Sequence, residues 1–492
     1  MPHDSSSVAP ERPHAAFRPH SVASHDSSVV IRKEPEGNGA GTELIAGTAI
    51  DQRASMPKSS ADSAISPELQ APPKHTSLSR NRGFMNLWAG ETASQFGFQI
   101  AGLATSAIAI TLLDATNRQI GVLSALQTVA FLLIGLPAGA WVDRWRKRRT
   151  MIAADVVRVI ALASIPLAWW FGALTIEHLM AVAAILGFAT VFFDVSYQSF
   201  VPAIVGPEHI GEANGRMEAS FQVARVGGPG LAGWLLGVMA APFAYLLTAG
   251  TYALSAIAIW RIPGKEHKPQ APKDSKLRDQ VREGIDYVRG ERLLGPLFLC
   301  ISAGALAGQG VGTLLPILAL RELGMSATTL GTLLSLGAVG GILGATCRPW
   351  FIRHVGEGHT IVVCNVLGVL AYLGLPLAAL VPAHASVVLV VSNIVTSFFL
   401  TIYNITQMSL RQRICPLPLL GRLNATFRFA VWGVMPIGAL LAGIIANSLG
   451  VVAAMYIFIG GTVVAGLAMA LTPVVRINRV NTPVPRDMVG AA

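Results

Sequence analysis

The sequence predicts an all-α membrane protein: twelve transmembrane helices in two six-helix halves behind a disordered N-terminal tail. Three observations carry that expectation. Of 492 residues, 52% are hydrophobic and 13% charged, with a mean hydropathy of +0.54, a composition soluble domains rarely have. The apolar residues gather into segments of 20 or more, the length that crosses a hydrocarbon core of ~30 Å. Lys and Arg collect in alternate connections between those segments, which marks one face of a membrane.

Residues 1–82 stand apart. They are rich in Ser, Pro, His, Ala and charge and hold no apolar run long enough for a signal peptide or a core, so they read as a disordered cytoplasmic tail. The tail histidines His3, His14, His20 and His25 fit no metal-site spacing and read as solvated. Met56 and Met85 offer downstream starts, with the first membrane helix then serving as the insertion signal. From there the expected spans are 84–112, 118–142, 150–171, 177–203, 213–238, 241–261, 294–320, 326–351, 359–380, 385–409, 421–446 and 450–474. The even-to-odd connections hold Arg144, Arg146, Lys147, Arg148 and Arg149, nine cations from Arg261 to Arg292, then Arg353, Arg411 and Arg413. The opposite side shows little beyond Arg118 and Arg321. Both termini are therefore expected in the cytoplasm of a multi-pass plasma-membrane protein.

The longest connection, 262–293, divides an N-terminal bundle (83–261) from a C-terminal bundle (294–475), which a cytoplasmic tail (476–492) follows. Within it Leu277, Val281, Ile285, Tyr287 and Val288 recur at roughly helical spacing, the pattern of an amphipathic interfacial helix. A repeat supports the division. Gly139-x-x-x-Asp143 has a decayed counterpart in Gly344-x-x-x-Arg348, 205 residues on, and the helix-breaking Pro229 and Pro436 lie 207 apart. Two landmarks with nearly one offset predict parallel halves related by an axis along the membrane normal.

The second expected span closes on GAWVDRWRKRR, Gly139 to Arg149. An acid among five cations does not help retention on the cytoplasmic side, so Asp143 is best explained by a specific partner. Gly139, four residues earlier, lets another helix approach. The pattern Gly-x-x-x-Asp-Arg-x-x-[Arg/Lys]-Arg resembles the signature between helices 2 and 3 of major facilitator superfamily transporters. The fifth span holds VGGPGLAGWLLG, where Pro229 removes a backbone bond and the small residues allow close packing. With Gly228, Pro229 and Gly233 it resembles the Gly-Pro antiporter motif of that superfamily's exporters, although ordinary small-residue packing fits it too. FFDVSYQSFVPAIVGPEHIGEANGRMEASFQVARVGGPGLAG and LRQRICPLPLLGRLNATFRFAVWGVMPIGALLAG resemble the branch of enterobactin exporters and macrolide-efflux proteins. The resemblance covers about 84 to 475 and implies a proton-driven exporter of small molecules working by alternating access. It also implies a gating role for Gly139, Asp143, Arg144 and Arg148. Arg146 departs from that pattern, standing where the signature has Gly, as does Arg348 in the second-half copy, where an acid could stand.

Many proton-coupled drug exporters carry an arginine in helix 4, and the fourth span here has none. Coupling has to be sought in this chain's own intramembrane charges, each of which costs about 3 kcal/mol on insertion scales and faces a cavity or a partner. Asp194 lies midway along the fourth span with Tyr197 and Gln198 one turn on. Arg225, one turn before the Gly-Pro kink, is its expected counter-charge, and an ion pair that merely fixes helix packing fits the same residues. Glu91 is a second coupling candidate, with Gln95 and Gln99 following at i+4 and i+8. Glu218 and Arg216 are shallow, and Asp155 and Arg158, three residues apart, are expected to pair structurally near the cytoplasmic face. Asn393, Ser397, Thr401 and Asn404 form a polar stripe suited to a cavity wall, and Phe192, Phe193, Tyr197, Tyr403 and Trp432 are aromatic candidates for a substrate path.

Other classes find little support. Cys300, Cys347, Cys364 and Cys415 lie in or beside apolar segments without ligand-like spacing, so no disulfide, metal site or cofactor is expected. A net charge of +10 follows from topology rather than nucleic-acid binding. No Gly-x-x-x-x-Gly-Lys-[Ser/Thr] occurs to serve an ATP-driven pump, and no His-Glu-x-x-His marks the core as an enzyme. The expected partners are a small lipophilic or amphipathic substrate (drug, siderophore or metabolite), protons and the lipid bilayer, met by a monomer. Uptake, facilitated diffusion and a transport-inactive receptor or scaffold are the alternative functions.

Overall fold

A computed structural model describes residues 78–142, 144–263, 288, 290–291, 293–415 and 420–476, all within the unit Leu69–Ala492. The N-terminal tail up to residue 77, Asp143, the amphipathic stretch of the central connection as far as residue 287 and the C-terminal tail after residue 476 lie outside these residues.

Twelve long helices account for almost all of what is described, and no strand occurs among the described residues. In the first half they are α1 (Arg82–Ala107), α2 (Asn117–Val142), α3 (Lys147–Trp170), α4 (Ile176–Val205), α5 (Ile210–Val238) and α6 (Ala241–Trp260). The second half holds α7 (Leu294–Ile317), α8 (Ala327–Val355), α9 (Glu357–Ala371, with a short turn at Gly374–Leu377), α10 (Ala385–Ile414), α11 (Leu420–Leu449) and α12 (Val451–Ala470). Among the described residues 11 helices are long and apolar enough to cross a membrane. The exception is α5, whose Glu212, Arg216, Glu218 and Arg225 lower its hydropathy below that of its neighbours. Large apolar side chains such as Ile160, Trp234, Leu299 and Val464 face outward, a belt that lipid would cover.

A helical turn at Leu78–Arg80 precedes the expected first helix. Leu78 is fully buried, and Asn81 caps α1 by accepting the Phe84 N–H at 3.1 Å while its amide reaches the Ile204 carbonyl at 3.0 Å. A cap whose other end is bonded to α4 fixes where α1 starts.

The two halves repeat one design. α1 and α7 both end in a π turn, Ile108–Leu112 and Leu318–Glu322. Leu113 bonds Ile108 and Ala115 bonds Ala109, as Leu323 bonds Leu318 and Met325 bonds Ala319, all at 2.8 to 2.9 Å. The residue between each pair takes positive φ, Asp114 at 43° and Gly324 at 61°, a conformation Asp and Gly tolerate. Packing repeats likewise: α1 on α5 and α6, α2 on α4, and α3 on α4 and α6 recur six helices later. Between halves the main contacts are α2 on α11 and α5 on α8, one pair converted into the other by the same two-fold relation.

Those inter-half seams close where glycines remove side chains. A Cβ at Gly121 would lie 2.7 Å from Gly443 Cα, and one at Gly331 would lie 2.3 Å from the Pro229 carbonyl. Gly228 faces Gln99 of α1 and Gly233 faces Gly331, so the Gly-Pro motif sits where α5 meets both α1 and the other half. Gly139 differs from expectation: a Cβ there meets nothing within 4 Å, whereas one at its counterpart Gly344 would lie 2.3 Å from the Phe398 carbonyl. Close approach belongs to the second-half copy in this conformation.

Candidate functional site

A cavity of about 300 Å³ opens inside the first half, at the small end of drug-sized pockets. Successive turns of α1 supply Glu91, Gln95 and Phe98; Phe131 comes from α2, Arg158 from α3, Phe193 and Asp194 from α4, and Tyr245 and Tyr252 from α6. The second half contributes Trp432 of α11.

Three charged arrangements meet at this wall. On α1 the spacing i, i+4 stacks Gln95 over Glu91, and the amide donates to Glu91 Oε1 at 2.6 Å. On α3 Arg158 pairs with Asp155 at 2.9 Å, both buried, and the guanidinium lies over Phe193 at 4.6 Å and Tyr252 at 4.9 Å. The third arrangement joins the halves: Arg428 of α11 donates to Asp194 Oδ2 at 3.1 Å. One turn along α11, Trp432 packs on Phe131 with ring centroids 4.8 Å apart.

The cation beside Asp194 is thus Arg428, whereas Arg225 is exposed on α5 and forms no described bond to that carboxylate. Arg225 instead lies within electrostatic reach of Tyr372 in the second half. Of the other candidates, Glu91, Gln95 and Trp432 line the cavity with Asp194. Tyr197 and Gln198 do not; Tyr197 stacks beside Phe193 at 6.3 Å and Gln198 is exposed. Asn393 is taken up by packing, its amide donating to the Leu333 carbonyl at 3.3 Å against Gly337. Asn404 is exposed away from this cavity, Tyr403 is buried in the core of the second half, and Phe192 packs on Trp141 and Trp145. Arg144 is exposed, and Arg148 donates to the Ile259 carbonyl at 3.1 Å and to the Trp260 carbonyl, a cation at the C-terminal end of α6.

Arg428 and the cavity position of Arg158 escaped the sequence reading. The signal for Arg428 was present, because an arginine two turns into an apolar segment carries the same cost as Arg225.

At the end of the bundle that holds the α1–α2 connection, the halves are tied by polar bonds. Arg321 reaches Asn117 at 2.9 Å and the Ala115 carbonyl at 2.6 Å, Asn117 reaches the Ala446 carbonyl at 3.2 Å, and Ser124 meets Thr313 at 3.0 Å. On the α5–α8 seam Gly230 N–H donates to Ser335 at 2.6 Å and Thr328 to the Gly233 carbonyl at 2.9 Å. Asp194–Arg428 lies nearer the α2–α3 end than any other described polar bond between the halves.

Two six-helix bundles with apolar outer faces, the first holding a largely apolar cavity into which a few charged side chains project, define a polytopic membrane transporter. The chain belongs to the Major Facilitator Superfamily, whose model matches residues 87–435. It is 27% identical over 341 residues to the multidrug efflux pump Tap of Mycolicibacterium fortuitum, covering 66% of this chain and 79% of that one. Macrolide efflux protein A of Streptococcus pyogenes is 21% identical over 403 residues, 81% of this chain and 97% of the relative. The crystal structure of a bacterial homologue of the iron transporter ferroportin in the inward-facing state superposes with a TM-score of 0.61 at 18% identity, covering 80% of this chain and 99% of that one.

Proposed function

We propose that this chain is a proton-coupled secondary exporter of small lipophilic or amphipathic molecules, working by alternating access. The observation that carries the reading is the Asp194–Arg428 ion pair, which joins the two halves at a cavity wall while the opposite seam is shut. A carboxylate whose partner sits on the other half changes environment when the halves rock, and protonation then biases one conformation over the other. Similarity to efflux proteins supports the outward direction. In this reading all twelve helices cross the membrane, α5 included, since its charges lie toward its first turns and at Arg225. The cationic α2–α3 end and both termini face the cytoplasm, and the protein acts as a monomer. The described conformation is then sealed toward the outside. Gly139, Asp143, Arg144 and Arg148 gate the cytoplasmic end, with Arg148 holding α3 against α6; Pro229 and Gly233 form the flexible seam with α8, and Gly228 seats α5 on α1.

Inverted membrane vesicles from an expressing strain test this directly. A fluorescent lipophilic compound with no titratable amine is expected to accumulate when the lumen is acidified, to leak out when an uncoupler is added, and to do neither in vesicles from a strain lacking the protein. Accumulation indifferent to the gradient would make the chain a facilitator; extrusion from the lumen would reverse the direction.

A further inference from the structure

Three carboxylates and two guanidiniums share the cavity region: Glu91, Asp155 and Asp194 against Arg158 and Arg428. Each arginine is already matched, Arg158 with Asp155 at 2.9 Å and Arg428 with Asp194 at 3.1 Å. Glu91 is left over. Its Oε1 accepts from Gln95, while Oε2 is shielded from solvent and has no hydrogen-bond partner. Arg158 is the one Lys or Arg among the residues lining this cavity, so nothing else there offsets the third acid. Arg158 also acts on Glu91 across the cavity, but it is bonded to Asp155, so the three acids outnumber the two cations by one, and a buried carboxylate in such an excess favours arrival of a positive group.

The surroundings suit an apolar body as well. Phe98 follows Glu91 and Gln95 on the same stripe of α1, and Phe221 and Trp432 lie on the wall without an arginine over their rings. Faces of this kind attract a cation as well as bury hydrocarbon. We propose that the cargo is an amphipathic organic monocation, whose charge is held at Glu91 and whose apolar part lies against Phe98, Phe221 and Trp432. This rests on the reading of the chain as an exporter of amphipathic molecules and adds the sign of the cargo's charge and the residue that selects it.

The test is equilibrium binding to the full chain in lipid nanodiscs, with empty discs as background and no gradient. Tetraphenylphosphonium and tetraphenylborate have nearly the same shape and opposite charge. The cation is expected to bind at least tenfold more tightly than the anion, Glu91→Gln to lose at least tenfold in cation affinity, and Glu91→Asp to retain most of it. Equal affinities, a preference for the borate, or unchanged cation binding in Glu91→Gln would overturn the proposal. The wild-type pair of probes decides it even where a variant does not fold. Cation binding at Glu91 by a protein that accumulates nothing in vesicles would sink the exporter reading and leave this one standing; export of neutral probes alone would do the reverse.

Discussion

Asp155 and Arg158 sit one turn apart on α3, buried and bonded to each other, which makes them the residues whose loss is easiest to predict. Removing one partner leaves an uncompensated buried charge, a cost of about 3–5 kcal/mol, whereas an apolar pair of similar volume is often tolerated. Arg158→Leu is therefore expected to lower the unfolding midpoint in detergent sharply, and Asp155→Leu/Arg158→Leu to restore most of it. A double variant as unstable as the single would contradict the pairing. The sequence already places these two together, since three residues on a helix settle their geometry. It also exposes Asp194, Glu91, Gln95 and Trp432, because polar or aromatic side chains stand out in apolar segments. Asp194 nevertheless has a partner 234 positions away, on the other half, and chain distance carries no information about such a contact. Asn393 misleads for a related reason: a polar stripe looks alike whether it faces a cavity or, as here, fills the groove beside a glycine.

Helices are more legible than their contacts. Apolar length places most ends within a few residues, and Asn81 shows where that reading stops, since a cap is a side-chain event that hydropathy cannot register. Asn81→Ala is expected to cost about 1 kcal/mol in the detergent-solubilised protein, and unchanged stability would remove its role in fixing α1. The π turns after α1 and α7 follow no sequence period either, although they are the clearest structural repeat. At the α2–α11 seam, Gly121→Val would push a side chain into Gly443 Cα and hold the seam open. A cysteine at Ser124 in a protein lacking its four native cysteines should then react faster with a membrane-impermeant thiol reagent. If the rate matches that of the Gly121 parent, the seam is not what seals this end.

At the scale of the whole molecule, the two-fold pattern of contacts gives the protein two equivalent seams, α2 on α11 and α5 on α8, and the proposed alternating access would rock the halves about them without repacking their own cores. The Asp194–Arg428 pair bridges those halves at the cavity, and in the proposed cycle protonation of Asp194 would weaken that bond between them. Simultaneous recording of proton and substrate flux in proteoliposomes is the most direct test of that coupling. Asp194→Asn, expressed and folded as wild type, is expected to abolish substrate-driven proton movement and gradient-driven accumulation while keeping downhill substrate exchange. Normal gradient-driven accumulation with undiminished proton flux in that variant would contradict the account.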